Sequence, residues 1–141
     1  NILKIYTKAN VLNKLISKEV GADVIFSYKR AFNILINESK NIDTDVSGNV
    51  DPGLFKNDFE KILYKKIYNI RKDFTNVGKE DDYKGLLLNL ASVKKEVTDF
   101  FENVIVNDND INIKKNRLEL LKMLCKTFDN YFNFSKIESL S

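Results

Sequence analysis

An almost unbroken helical period constrains this chain more than any other feature. The single proline, Pro52, lies inside the longest polar break, Lys40–Gly53, so no apolar stripe contains the residue that most disrupts a helix. Further breaks fall at Ser17–Asp23, Asn76–Asp82 and Asn107–Asp110, and in the tail after Phe134. Between them apolar residues recur at three- and four-residue steps. The first stripe is Leu3, Tyr6, Ala9, Leu12, Leu15 and Ile16, and the second is Val24, Ile25, Tyr28, Ala31, Phe32 and Leu35. The third is Phe59, Ile62, Leu63, Ile67, Ile70 and Phe74, with Asn57 as N-cap and Glu60 at the reciprocal capping position. The fourth runs from Tyr83 through Leu86, Leu87, Leu90, Val93, Val97, Phe100 and Phe101 to Val104. The last holds Ile113, Leu120, Leu121, Leu124, Phe128, Tyr131 and Phe132. Two-residue alternation does not persist, and Val104-Ile105-Val106 is the only strand-like run. The expectation is an all-α helical bundle of about five to six helices in one domain over residues 1–141. The chain starts at Asn1 inside a periodic pattern, which suggests a piece of a longer protein.

Composition removes whole classes of chemistry. There is no histidine, the usual general base and the commonest metal ligand. Cys125 is the only cysteine, so neither a disulfide nor a zinc cluster can form within the chain. Ser-His and Cys-His nucleophilic catalysis and helical RNases that use an Arg-to-His motif are excluded in this chain, which is expected to have no catalytic residues and no metal or cofactor of its own. No apolar run approaches the roughly 18 residues of a membrane span, so no membrane partner is expected. A lone cysteine suits a reducing cytoplasm. The net charge of +3 and pI of about 8.8 lean weakly toward nucleic acid.

Spacing also nominates surfaces. On the second predicted helix, Lys29, Arg30, Asn33 and Asn37 lie opposite the apolar stripe, with Phe26 among them. An aromatic beside guanidinium, ammonium and amide groups suits unstacked RNA bases; alternatively, Phe26 packs on a neighbouring helix and the charges are solvated. On the third, Lys61, Lys65, Tyr68 and Lys72 share a face that can follow a phosphate backbone or be an ordinary solvated one. Arg117 falls inside the apolar stripe of the last helix. A buried arginine needs a partner, and Asp99 or Glu102 of the preceding helix are the expected carboxylates; RNA contact is the alternative. Cys125 is expected as a packed thiol. Asp108, Asn109 and Asp110 are expected as a helix cap rather than a cation site.

The stretch Val97, Phe100, Phe101, Glu102, Val104, Val106, Asp110, Asn116, Arg117, Leu118, Leu120, Leu121, Phe128, Phe134 and Ser135 resembles the C-terminal end of the β-subunit of bacterial tetrameric glycyl-tRNA synthetase. Tyr28-Lys29-Arg30 with Asn33-Ile34-Leu35 is similar to a segment of that family. So is Val50-Asp51-Pro52, with Leu54-Phe55, Glu60-Lys61 and Leu63-Tyr64 after it. The family usually has a proline before the Val97 motif. Here Lys94-Lys95-Glu96 offers none, leaving one long helix or two, and Lys114 stands where arginine is frequent.

The resemblance implies an all-helical anticodon-binding bundle of the DALR type, similar to that of arginyl-tRNA synthetases. It implies a parent that joins glycine to its tRNA with ATP and Mg²⁺ in an α₂β₂ assembly, with the aminoacylation site on the α-subunit, and a glycine tRNA rather than DNA as partner. Glycine tRNAs share two anticodon cytosines, whose acceptors Arg30, Asn33 and Asn116 can serve while lysines hold the backbone. The competing class is a helical protein–protein assembly module that touches no RNA.

Overall fold

Local capping chemistry starts two of the helices where the sequence changes character. The computed structural model describes residues 19–40, 45–75 and 80–132, the side chains of 80 and 81 excepted. The helices are α1 (Glu19–Ser39), α2 (Asp58–Asp73), α3 (Glu80–Asn103) and α4 (Ile111–Tyr131). A 3-10 turn at Pro52–Leu54 precedes α2. The expected first stripe, Leu3–Ile16, and the tail motif Phe134-Ser135 lie outside the described residues. Four helices stand among the described residues where about five to six were expected, and no strand is present among them.

Asn57 caps α2, its side chain accepting the Glu60 N–H at 3.0 Å. Glu60 reaches back one residue further than the capping pattern implies, accepting from the Lys56 N–H at 3.0 Å. Asp110 caps α4 by accepting the Asn112 N–H at 2.9 Å. Without a proline near Lys94, α3 is one continuous helix. Val104-Ile105-Val106 is not a strand: it joins α3 to α4 with Val104 and Val106 buried and Ile105 exposed.

Helix α1 packs on α3 and α4, and α2 packs on the same two, so α1 and α2 are diagonal across the bundle. Lys94 pairs with Asp23 and Arg30 lies over Phe101, so α1 and α3 run parallel. Tyr28 donates to Asp129 while Lys114 pairs with Glu38, so α1 and α4 run antiparallel. The core between them holds Tyr28, Leu63, Ile67, Tyr83, Leu86, Leu90, Phe100, Leu120, Leu124 and Phe128. Nearly every position of the α3 stripe is buried. Ile62 departs from its stripe and is exposed, because α2 presents a narrow apolar seam in its first turns.

Residues 45–55 form a strap that lies on α4. Ser47 and Gly48 donate their N–H groups to Glu119 Oε1 at 2.7 and 2.8 Å, and Lys126 Nζ donates to the Ser47 carbonyl at 3.1 Å. Gly48 has φ +92, and a Cβ there would meet the Lys126 side chain at 3.4 Å and the Met123 backbone at 3.5 Å. Both the left-handed backbone and the close approach therefore call for glycine.

Cys125 is buried in α4, and burial pushes its thiol up to about 12, with the Asp129 charge adding to the shift. A raised thiol pKa favours the folded state below the unfolded value of 9.0 and loses that contribution as pH climbs from there toward 12. Alkylation of the native chain at pH 8 is accordingly expected to follow global unfolding, with full reaction only in denaturant. Rapid native-state labelling would contradict this burial.

Candidate nucleic-acid interface

The bundle offers two outward faces that combine aromatic rings with cations. Because α1 and α2 are diagonal, these faces point to opposite sides. On α1, Lys29, Arg30 and Asn33 are all exposed, and Phe26 is 41% exposed. Both ring–cation possibilities of this face are already used internally. Arg30 Cζ lies 5.0 Å from the centroid of Phe101, and Lys94 Nζ lies 5.0 Å from that of Phe26. Acids balance the neighbouring cations, Asp23 pairing with Lys94 at 3.0 Å and Asp99 with Lys95 at 3.1 Å.

On α2, Lys61, Lys65, Tyr68 and Lys72 form the exposed stripe that spacing anticipates. The lysines make no ion pair among the described residues. Spacing alone did not reveal that the ring of Tyr68 belongs to a ladder. Tyr64 stacks on it at 6.4 Å, and Phe55, arriving from the strap, meets Tyr64 edge-on at 5.5 Å. The signal available in the sequence was the i, i+4 spacing of the two tyrosines; Phe55 carried none, since its position depends on the strap. The tyrosine ridge separates two hollows. One, of about 420 Å³, is bounded by Phe55, Lys61 and Lys65. The other, of about 550 Å³, is bounded by Gly48, Asn49, Arg71 and Lys72. Arg71 is anchored, its Nε donating to Thr127 Oγ1 at 2.5 Å and its Nη2 to the Met123 carbonyl at 3.3 Å.

Asn116, expected among the RNA contacts, is instead 4% exposed and spent on the strap. Its Oδ1 accepts from the Asp51 N–H at 2.8 Å, and its Nδ2 donates to the Asp51 carbonyl at 2.9 Å. A side-chain amide matches a backbone amide donor for acceptor, so this bidentate pairing removes Asn116 from any base edge.

Arg117 is also 4% exposed, and the structure corrects its partners. Neither Asp99 nor Glu102 holds it: Asp99 pairs with Lys95, and Glu102 points into solvent. Arg117 Nη2 meets Glu60, itself fully buried, at 3.3 Å. Its Nη1 reaches Asp108 at 3.3 Å and donates to the Ile105 carbonyl at 2.6 Å. One guanidinium thus ties together the start of α2, the α3–α4 connection and α4. Asp108 serves this lock and the cap at once. The Asp110 N–H, aided by Lys56 and Arg117 against partial desolvation, holds its carboxyl below the ordinary aspartate value. Among the described residues no group of three acidic, cysteine or histidine side chains is placed to hold a metal ion, and no helix is long and apolar enough to cross a membrane.

Comparison with known proteins agrees with this architecture. The chain is 34% identical over 137 residues to the glycine–tRNA ligase beta subunits of Rickettsia typhi and Rickettsia prowazekii, which covers 97% of this chain and 20% of each relative. It is 36% identical over 137 residues to that of Rickettsia bellii, covering 19% of that protein. The chain therefore spans about a fifth of the length of the curated relatives it matches. Residues 24–141 match the DALR anticodon binding domain, so this chain belongs to that domain family.

Proposed function

We propose that this chain recognises the anticodon loop of glycine tRNA as one domain of a longer glycine–tRNA ligase beta subunit. The observation that carries this reading is the family match across residues 24–141, on a bundle whose exposed faces pair aromatic rings with cations. The parent joins glycine to its tRNA in the cytoplasm, with an α-subunit partner in an α₂β₂ assembly. ATP and Mg²⁺ serve the parent elsewhere.

The domain's own task is binding. Loop bases splay out of the stack, rings hold their faces, polar groups read their edges and lysines neutralise the phosphates. Two faces compete for this role: Phe26, Lys29, Arg30 and Asn33 on α1, and Lys61, Lys65, Tyr68 and Lys72 on α2. They point apart, so a single loop engages one of them.

The test is titration of the chain with glycine and non-glycine tRNAs at two salt concentrations. Glycine tRNA is expected to bind more tightly. With three or four phosphates neutralised on single-stranded loop RNA, its affinity is expected to fall roughly 20- to 50-fold from 50 to 200 mM salt. Indifference to salt and to tRNA identity would point to a protein-assembly module instead.

A further inference from the structure

The two faces differ in what they have left to offer. On α1 the Phe26 ring already carries a lysine and the Arg30 plane already lies on a ring, while Asp23 and Asp99 offset nearby charge. An incoming base competes with existing ring–cation contacts there. On α2 the Tyr68 ring is 52% exposed, stacked from below by Tyr64, and flanked by lysines with no carboxylate partner among the described residues. Resting on the anticodon reading above, we propose that the Phe55–Tyr64–Tyr68 ladder is a stacking subsite for unpaired RNA bases, with Lys61, Lys65 and Lys72 on the adjoining phosphates.

Three features make the ladder suitable. Its rings are pre-ordered, so a base continues an existing stack rather than building one. Lys65 and Lys72 lie three residues before and four after Tyr68 along α2, which puts charge on both sides of its ring, and Lys61 lies three residues before Tyr64. The hollows on either side of the ridge, about 420 and 550 Å³, admit a base beside the stack, whereas a duplex keeps its bases paired inside. The subsite therefore selects single strands by access to a π-face, and its contribution to sequence preference is small.

The chain has six tyrosines and no tryptophan, so tyrosine emission reports directly on stacking. Glycine tRNA and a short unstructured RNA are both expected to quench it, and duplex RNA is not. Tyr68→Leu is expected to weaken glycine tRNA roughly 5- to 150-fold, while Tyr68→Phe, which keeps the ring, binds nearly as the parent does. Lys61→Gln with Lys65→Gln is expected to weaken all tRNAs alike and reduce the salt slope. Each variant is compared at an unchanged melting temperature, since these side chains lie at the surface. Tight glycine tRNA binding by Tyr68→Leu, with loss in Arg30→Ala, would overturn the ladder and place the loop on α1 while leaving the tRNA reading intact. Equal quenching by duplex RNA would also overturn it. A parent chain that binds no tRNA would remove both readings together.

Discussion

Arg117→Ala is expected to lower stability by about 3–5 kcal/mol, a fall in melting temperature on the order of 10–20 °C. The mechanism is not the loss of an attraction alone. Glu60 is fully buried, and without its partner it becomes an uncompensated charge inside the bundle. The Ile105 carbonyl loses a 2.6 Å donor in the same change. Glu60 Oε2 and Arg117 Nε have no hydrogen-bond partner among the described residues, so the pair is incompletely satisfied and a value near the lower end is expected. Combining Arg117→Met with Glu60→Leu removes both charges and is expected to recover much of the loss, giving a strongly non-additive double-mutant cycle. Simple additivity, or a single variant that melts like the parent, would show that the pair does not hold α2 to α4. At temperatures where Arg117→Ala remains folded, its affinity for tRNA is expected to be that of the parent, because the guanidinium does not reach the surface.

The second large effect is expected at Glu119. Its carboxylate accepts two backbone N–H groups of the strap and is itself buried, with Lys115 beside it at 3.3 Å. Glu119→Ala leaves those donors without an acceptor and is expected to cost about 2–3 kcal/mol. Glu119→Gln retains one carbonyl oxygen and is expected to cost less. Amide exchange at Ser47 and Gly48 should accelerate sharply in the alanine variant while exchange in α3 changes only with global stability. Unchanged protection at those two amides would mean that the strap is held by something else. Because Gly48 and Asn49 line the hollow beside Tyr68, the same variant is expected to weaken RNA binding although Glu119 touches no RNA.

Much of the fold was legible because a helix writes its buried face into the sequence at a fixed period. The stripe from Tyr83 to Val104, the caps at Asn57 and Asp110 and the packed thiol of Cys125 all follow from spacing and local hydrogen bonding. Ile62 marks the limit, since period predicts which residues share a face but not how wide a seam the neighbours cover. The same limit explains Arg117. Its burial was legible from its place in the stripe, whereas its buried partner, Glu60, lies 57 residues away on a helix that meets α4 only through tertiary packing. Asp99 and Glu102 rest on the preceding helix alone, whereas the carboxylate that does pair from that side, Asp108, sits in the connection between the helices. Asn116 shows the converse: a polar helix residue suited to a base edge has as its partner a backbone segment 65 residues earlier. Of the resemblance motifs, Glu60, Asn116 and Arg117 are buried and tie elements together, Asn116 through the backbone of the exposed Asp51, so these positions carry the architecture.

The strap's attachment carries a consequence for how the domain assembles. Its hydrogen bonds to Glu119 span 72 and 71 residues, and every partner it has on α4 is made after α2 and α3 have already been synthesised. During translation, α1, the strap and α2 emerge with their buried polar acceptors missing, and the α2 carboxylate Glu60 waits for Arg117. Arrival of α4 supplies Asn116, Arg117 and Glu119 within little more than one helical turn, closing several long loops at once. Folding of this domain is thus expected to be a late and concerted event, gated by the emergence of a single helix from the ribosome rather than built up hairpin by hairpin.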